Sequence, residues 1–164
     1  MVTSAEIIVH GAVEKGYMAS SFPFFGFEKK GGPVEAYVRV SETKIRQKCS
    51  VYTPDFVVVI DPTLMGSVNV YAGLKPDGHI IFNCEDPALL QIPDTVTHYS
   101  WLDANAIALE MFDRLLPNTA MLGAFAAISD WLDVETAAEL AARHWGEKNA
   151  EAVRRGAAAV KTVK

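Results

Sequence analysis

Residues 56–61 read FVVVID, and this stretch decides the fold class of the chain. It is a short, unbroken apolar run that ends in a carboxylate, with no alternation of polar and apolar positions. Such a run is typical of a parallel strand that helices cover on both faces. The segment HIIFN at residues 79–83 repeats the pattern after a Pro-Asp-Gly turn at residues 76–78. Together the two runs predict an open α/β sheet.

Further elements are predicted by working outward from this pair. Apolar spacing predicts a helix over residues 3–15, and period-two alternation predicts a half-buried strand over residues 34–41. Residues 17–33 are dense in Gly, Pro, Ser and aromatic residues, which predicts a long connecting segment. Residues 44–51 are expected to pair with the strand at 34–41, and residues 65–74 to form a helix or helical turn.

The C-terminal half adds a third short strand, predicted at residues 97–101, and then becomes helical. Helical periodicity follows at residues 104–116, 118–132, 134–145 and 148–163. No repeat or low-complexity linker divides the 164 residues, which is the size of one ordinary domain. We therefore predict a single domain over residues 1–164, with an open, mostly parallel sheet, helices on both faces and a helical C-terminal tail.

Composition and charge argue against several classes of function. The net charge of −5 and a pI near 5.3 do not suit a nucleic-acid binder, which needs a Lys/Arg surface. No segment approaches the roughly 20 apolar residues of a membrane span, and no basic segment leads into an apolar run at the start. The interpretation is a cytoplasmic protein whose partners are neither nucleic acid nor membrane.

Residue types that carry catalysis or hold metals are sparse. The two cysteines, Cys49 and Cys84, lie far apart without CxxC spacing, so they cannot form a zinc site or an iron–sulfur cluster by themselves. The four histidines stand in separate elements, and the sequence contains neither a GxSxG nor a GxxxxGK[ST] motif. We therefore expect no catalytic residue and no metal ligand in this chain.

Two polar residues follow the predicted parallel strands. Asp61 and Asn83 would lie at the carboxyl edge of the sheet, where open α/β folds place ligand crevices. The alternative is that each is a turn residue or a helix cap after its strand.

The segment FPFFGFEKKGGP, residues 22–33, combines aromatic residues, glycines and charges of both signs. Exposed aromatics beside charges are typical of interface anchors, and glycines permit close approach of another chain or ligand. An ordinary surface loop with a glycine turn fits the same residues.

Residues 22–41, FPFFGFEKKGGPVEAYVRVS, resemble the signature of gamma subunits of 2-oxoacid:ferredoxin oxidoreductases, the pyruvate:ferredoxin oxidoreductase family. That signature is an aromatic residue, Gly, any residue, Glu, two basic residues, Gly, a small residue and Pro-Val before a strand. The matching residues are Phe25, Gly26, Glu28, Lys29, Lys30, Gly31, Gly32, Pro33 and Val34. The family usually has Arg at the two Lys positions, and Lys supplies the charge without the planar fork.

The resemblance continues in the same order along most of the chain. Its further motifs are PDFVVVID at 54–61, DGHIIFN at 77–83, NTAMLGA at 118–124 and EKNAEAVRRG at 147–156. Family members open with a strand and a glycine-rich turn similar to GxGGQG, whereas this sequence begins at the helix that follows. We expect the slot of that strand to be filled by another polypeptide or by a preceding part of a longer subunit.

The resemblance implies a gamma subunit without catalytic residues of its own. Other subunits would hold thiamine diphosphate, Mg²⁺ and [4Fe–4S] clusters, and the complex would convert a 2-oxoacid, most often pyruvate, to an acyl-CoA with electrons passed to ferredoxin. Coenzyme A binds near the gamma domain in this family. The residues expected to face coenzyme A or a partner subunit are Phe25, Gly26, Glu28, Lys29, Lys30, Gly31, Gly32 and Asn83.

Two other functions fit the residues without the resemblance. One is a free-standing α/β protein that binds a nucleotide-like ligand at the edge formed by Asp61 and Asn83. The other is an oligomerising α/β scaffold without a ligand. Co-purification separates the three, because only the first requires partner chains that bear clusters.

Overall fold

The computed structural model describes residues 2–25 and 34–163 of the chain. Within them, the helices are α1 (Val2–Glu14), α2 (Ala104–Phe112), α3 (Asn118–Ile128), α4 (Val134–Trp145) and α5 (Glu147–Ala159). The strands are β1 (Met18–Phe25), β2 (Val34–Ser41), β3 (Phe56–Val59), β4 (His79–Asn83), β5 (His98–Leu102) and β6 (Lys161–Thr162). Two short 3₁₀ helices lie at Pro62–Gly66 and Pro87–Leu89.

The main sheet has the strand order β3-β4-β5-β6. Strands β3, β4 and β5 are parallel, with Val58 opposite Ile81 and Ile81 opposite Ser100, and β6 runs antiparallel to β5. The predicted α/β class with an open, mostly parallel sheet is confirmed. The two apolar runs that predicted it are the neighbouring strands β3 and β4.

Each face of this sheet has its own core. Ile81 and Leu102 pack with residues of α1, α3, α4 and α5 on one face, where Phe56 and Val58 join them. Ile80 and Phe82 point to the other face. That face is covered by side chains from the connections after β3 and β4, namely Met65, Val70, Tyr71, Leu74, Leu90 and Ile92. The continuous apolar pattern of β4 follows from burial on both sides.

A hairpin arm, formed by β1 and β2, is a separate two-stranded antiparallel sheet in which Phe22 faces Tyr37. The prediction that residues 17–33 form only a connection was wrong for Met18–Phe25. Pro23 made this stretch resemble a loop, but an edge strand tolerates proline because one side of it donates no ladder hydrogen bonds. The pairing expected for residues 44–51 was also wrong, because β1 is the partner of β2 and residues 44–51 contain no regular element.

The C-terminal helices pack closely and end earlier than predicted. A Cβ atom built on Gly123 of α3 would overlap the carbonyl oxygen of Val153, and one on Gly156 of α5 would overlap that of Ala120. The tail is not helical to its end, since α5 stops at Ala159 and Lys161–Thr162 forms β6. The backbone N–H of Val163 also donates to the Tyr99 carbonyl, 3.1 Å away, so pairing with β5 replaces the last helical turn.

Helices α1, α2 and α3 also end before their predicted limits, while α4 has the predicted bounds. Helix α2 ends at Phe112 because Asp113 adopts a left-handed conformation, with φ of 53°. Helix α3 ends at Ile128.

Candidate functional site

The carboxyl edge of the parallel strands brings Asp61, Asn83 and Asp103 to consecutive strand ends. Asp61 caps the 3₁₀ helix that follows β3, accepting hydrogen bonds from the backbone N–H and hydroxyl of Thr63. Asp103 caps α2 by accepting from the Ala106 N–H at 2.8 Å. These carboxylates therefore act as helix caps, the second of the two roles that the sequence left open for Asp61.

Asn83 joins three elements at this edge. Its side-chain amide donates to the Ile60 carbonyl at 2.8 Å and to Oδ1 of Asn105 at 3.2 Å, and its Oδ1 accepts from the Ala104 N–H at 3.0 Å. The residue is 2% exposed. Asn83 thus connects the ends of β3 and β4 to the first turn of α2, and the geometry makes it a residue that positions the edge.

Cys84 follows Asn83 at the same edge. Burial, followed by the nearby carboxylates of Asp86 and Asp103, raises the pKa of its thiol to about 11. The thiol is therefore protonated at neutral pH and is a poor nucleophile or metal ligand, since both roles require the thiolate.

The opposite, amino edge of the sheet carries a polar chain that the sequence did not reveal. His79 Nε2 lies 2.8 Å from the Ser100 hydroxyl, which lies 2.8 Å from the Thr162 hydroxyl. Ser100 is fully buried and Phe56 stacks on the His79 ring. Burial, with a smaller contribution from His98, lowers the pKa of His79. Only the strand register brings these residues together, so no spacing in the sequence could have found them.

Most of the residues expected to face coenzyme A or a partner fall outside the described residues. These are Gly26, Glu28, Lys29, Lys30, Gly31 and Gly32, and Phe25 is described only as the last backbone position of β1. The sequence prediction missed Asp103 and Asn105, which complete the contacts of the carboxyl edge. An Asp directly before a predicted helix is an N-cap signal that could have identified Asp103.

The described part of the chain contains neither a cluster of metal-ligating side chains nor a membrane-spanning helix. Within residues 2–25 and 34–163, no three His, Cys, Asp or Glu side chains are grouped so that they could hold a metal ion. No helix in that part of the chain is long and apolar enough to cross a membrane.

A family model described as pyruvate ferredoxin/flavodoxin oxidoreductase matches residues 1–162. The chain belongs to this family. The pyruvate synthase subunit PorC of Methanothermobacter thermautotrophicus, a member with 40% identity over 157 residues, is matched over 93% of this chain and 85% of its own length. The gamma subunit of NADH-dependent phenylglyoxylate dehydrogenase from Aromatoleum evansii is 41% identical over 136 residues, which are 82% of this chain and 72% of that protein.

A solved structure in the same oxidoreductase family has the same fold. The crystal structure of pyruvate oxidoreductase subunit PORC from Thermotoga maritima has a TM-score of 0.84 and 28% identity, covering 99% of this chain and 91% of that one. These similarities identify the chain as a gamma subunit of a pyruvate/2-oxoacid oxidoreductase. The resemblance inferred from the sequence motifs is confirmed.

Several of the motifs that resemble the family correspond to helices and strands of the fold. The motifs at 54–61 and 77–83 contain β3 and β4. The motifs at 118–124 and 147–156 lie in α3 and α5 and contain Gly123 and Gly156, where the two helices approach closely. These motifs therefore build the domain, whereas most of the matching residues of the signature between β1 and β2 lie outside the described residues.

Proposed function

We propose that the chain contributes to the assembly and the coenzyme A site of a thiamine-diphosphate-dependent 2-oxoacid:ferredoxin oxidoreductase, without catalytic residues of its own. The observation that carries the proposal is the family match over residues 1–162, together with relatives that are named as PorC or gamma subunits. In this proposal the partners are subunits that hold thiamine diphosphate with Mg²⁺ and [4Fe–4S] clusters. The complex lies in the cytoplasm and passes its electrons to ferredoxin.

The chemistry of the chain supports a division of labour between subunits. A [4Fe–4S] cluster takes four cysteine thiolates, and the sequence has two cysteines, one of which has a pKa of about 11. The Asp61 and Asp103 carboxylates are engaged as helix caps. Decarboxylation and electron transfer therefore belong to the partner chains.

We propose that contacts with coenzyme A or a partner come from the end of β1 and from the residues that follow it in the sequence. The proposed residues are Phe25, Gly26, Glu28, Lys29, Lys30, Gly31 and Gly32. Backbone N–H groups at glycines and two lysine ammonium groups suit an anionic phosphate. Asn83 is buried, so its part in a ligand site at the carboxyl edge is to hold the start of α2 in position.

Pyruvate is the proposed substrate of the complex, and a different 2-oxoacid would leave the role of this chain unchanged. The two relatives above carry the names of a pyruvate enzyme and a phenylglyoxylate enzyme at almost equal identity to this chain. Their similarity supports placing the choice of 2-oxoacid in the thiamine-binding subunits. A free-standing ligand-binding protein is not favoured, because the polar side chains at the carboxyl edge cap helices.

Native co-purification tests the proposal. A tagged chain expressed in its own host should bring down other subunits in fixed stoichiometry, with iron and thiamine diphosphate. The purified complex should reduce ferredoxin when given pyruvate and coenzyme A, and the isolated chain should contain no iron and turn over no 2-oxoacid. Recovery of the chain alone, or an iron–sulfur absorbance band in the isolated chain, would contradict the proposal.

A further inference from the structure

The hairpin arm exposes apolar side chains along one of its faces. Side chains alternate along a strand, so Met18, Phe22 and Phe24 of β1 point to the same side, which we name the aromatic face. Met18 is 54% exposed, and Phe22 and Phe24 are each 38% exposed. Both strands of the arm contact α1, whereas these three side chains stay exposed in the part of the chain that the structure describes.

The polar groups that share this face already have partners. Glu35 and Tyr37 lie opposite Phe24 and Phe22, and the Tyr37 hydroxyl donates to the Glu35 carboxylate. The Arg39 guanidinium donates to the backbone carbonyls of Cys49 at 2.6 Å and Ser50 at 3.0 Å. These bonds hold the side chains in place, so covering the face adds little cost of ordering. The Glu35 carboxylate is bonded to a neutral hydroxyl, so a basic group of a partner is needed to offset the desolvation of its charge.

A depression lies at the foot of the arm, which is the end where Met18 begins β1 and Ser41 ends β2. The depression, of about 420 Å³, is lined by Val13, Tyr17, Met18 and Ile45, and Lys44 also lines it. Val13 is itself 52% exposed. Protein interfaces concentrate their binding energy where an apolar anchor of one partner fills such a pocket in the other.

Charges of opposite sign lie at the two ends of this surface. Lys44 stands at the foot and forms no salt bridge with the other residues that the structure describes. Glu35 lies at the other end of the arm, near the start of β2 and opposite Phe24. A complementary partner therefore presents an apolar surface with an acidic group at one end and a basic group at the other.

We propose that the aromatic face, with the depression at its foot, is the surface on which another protein subunit of the oxidoreductase complex docks. That subunit places an apolar side chain in the depression, an acidic side chain near Lys44 and a basic side chain near Glu35. The inference rests on the proposed function, since membership of a family of complex subunits makes a different subunit the occupant. A second copy of this chain is the competing occupant.

Co-expression of the whole complex tests the inference. In the variants Phe22→Asp and Phe24→Asp, the iron and partner subunits recovered per tagged chain should fall by about tenfold or more, as for a central interface residue. Leu115→Asp, at a side chain that is 64% exposed between α2 and α3, is the matched control and should recover the full complex. Unfolding midpoints of the isolated variants separate lost docking from lost folding. Because the substituted side chains are exposed, we expect these midpoints to stay close to that of the wild type.

A charge variant provides a second measurement that does not depend on the aromatic residues. Lys44→Glu should lower recovery of the complex several-fold, whereas Lys148→Glu, on the exposed side of α5, should not. Equal recovery for wild type and for both Phe variants, in chains that fold, overturns the inference. The inference is also overturned if the Phe variants keep the partner subunits but lose a dimer of this chain. The aromatic face would then be the interface with a second copy of the chain. If the wild-type chain recovers no cluster-bearing subunit at all, the proposed function itself fails.

Discussion

Cys49 and Cys84 differ in their surroundings, since Cys49 follows the basic stretch KIRQK at residues 44–48 and Cys84 follows the apolar run HIIFN at residues 79–83. Cys49 is exposed and lies beside the Arg39 guanidinium, whereas Cys84 is partly buried near Asp86 and Asp103. A rise in the pKa from 9.0 to about 11 means on the order of a hundredfold less thiolate at neutral pH than in an unperturbed thiol. The local charges and burial therefore decide reactivity.

We predict that alkylation at pH 7.5 modifies Cys49 well before Cys84. Mass spectrometry of Cys49→Ser and Cys84→Ser chains treated with iodoacetamide measures the two rates separately. The Cys49→Ser chain should remain almost unmodified while the Cys84→Ser chain is labelled. Equal rates in the two folded variants would contradict the raised pKa of Cys84.

His79 links folding to pH. Its pKa is lowered below 6.5 in the folded chain, chiefly by burial, so the unfolded chain binds more protons between the two values. The contribution of neutral His79 to the free energy of unfolding is therefore complete above about pH 6.5. It is lost as the pH falls from about 6.5 towards the lower pKa that His79 has in the folded chain. Acid should weaken the fold at the junction of β4, β5 and β6.

We predict that His79→Gln flattens the pH dependence of stability. Urea unfolding of the wild type between pH 7.5 and 5 should show a loss of stability that is smaller in this variant. The His144→Gln variant, at an exposed site on α4, is the control. An identical pH slope for the wild type and His79→Gln would show that burial does not act on this histidine as described.

At the scale of elements, α3 and α5 are held at a distance that only glycine permits. The Cβ position of Gly123 coincides with a carbonyl oxygen of α5, and that of Gly156 coincides with a carbonyl oxygen of α3. Backbone atoms cannot rotate out of the way as a side chain can. Any larger residue must separate the two helices and loosen the core that they share with α4.

We predict that Gly123→Ala and Gly156→Ala each lower the free energy of unfolding by about 1–3 kcal/mol, the range for overpacked sites. Gly66→Ala is the matched control, because a Cβ there meets nothing within 4 Å. Chemical denaturation of the three variants measures the difference. If the helical glycines cost no more than Gly66, the helices do not pack as closely as the structure shows.

At the scale of the whole molecule, the parallel sheet has an edge at β3. In the described part of the chain β3 pairs only with β4, although its FVVV sequence has the apolar pattern of a strand inside a sheet. Unpaired backbone N–H and C=O groups on an apolar strand cost free energy when they are buried. When they are exposed to solvent, they can pair with a strand of another chain. The expectation that a further strand fills this slot stays a prediction.

We predict that the chain is less stable alone than in its complex. Partners that bind only the folded chain raise the apparent stability by mass action, and a strand added at β3 would do so directly. Differential scanning calorimetry should therefore show a lower midpoint, or aggregation, for the isolated chain. A cooperative transition of the isolated monomer at the same temperature as in the complex would contradict this prediction.

The sequence by itself determined the α/β class, the strands β3, β4 and β5, the bounds of α4 and the family. The structural features follow from local patterns, because a buried parallel strand or an amphipathic helix shows its environment in its own residue order. The family follows from motifs that resemble its signature. The tertiary structure alone decided that Met18–Phe25 pairs with β2, that Lys161–Thr162 leaves the helical tail for the sheet, and that His79, Ser100 and Thr162 meet. Each of these depends on contacts between residues distant in sequence, and the free energy of such contacts overrides local propensity.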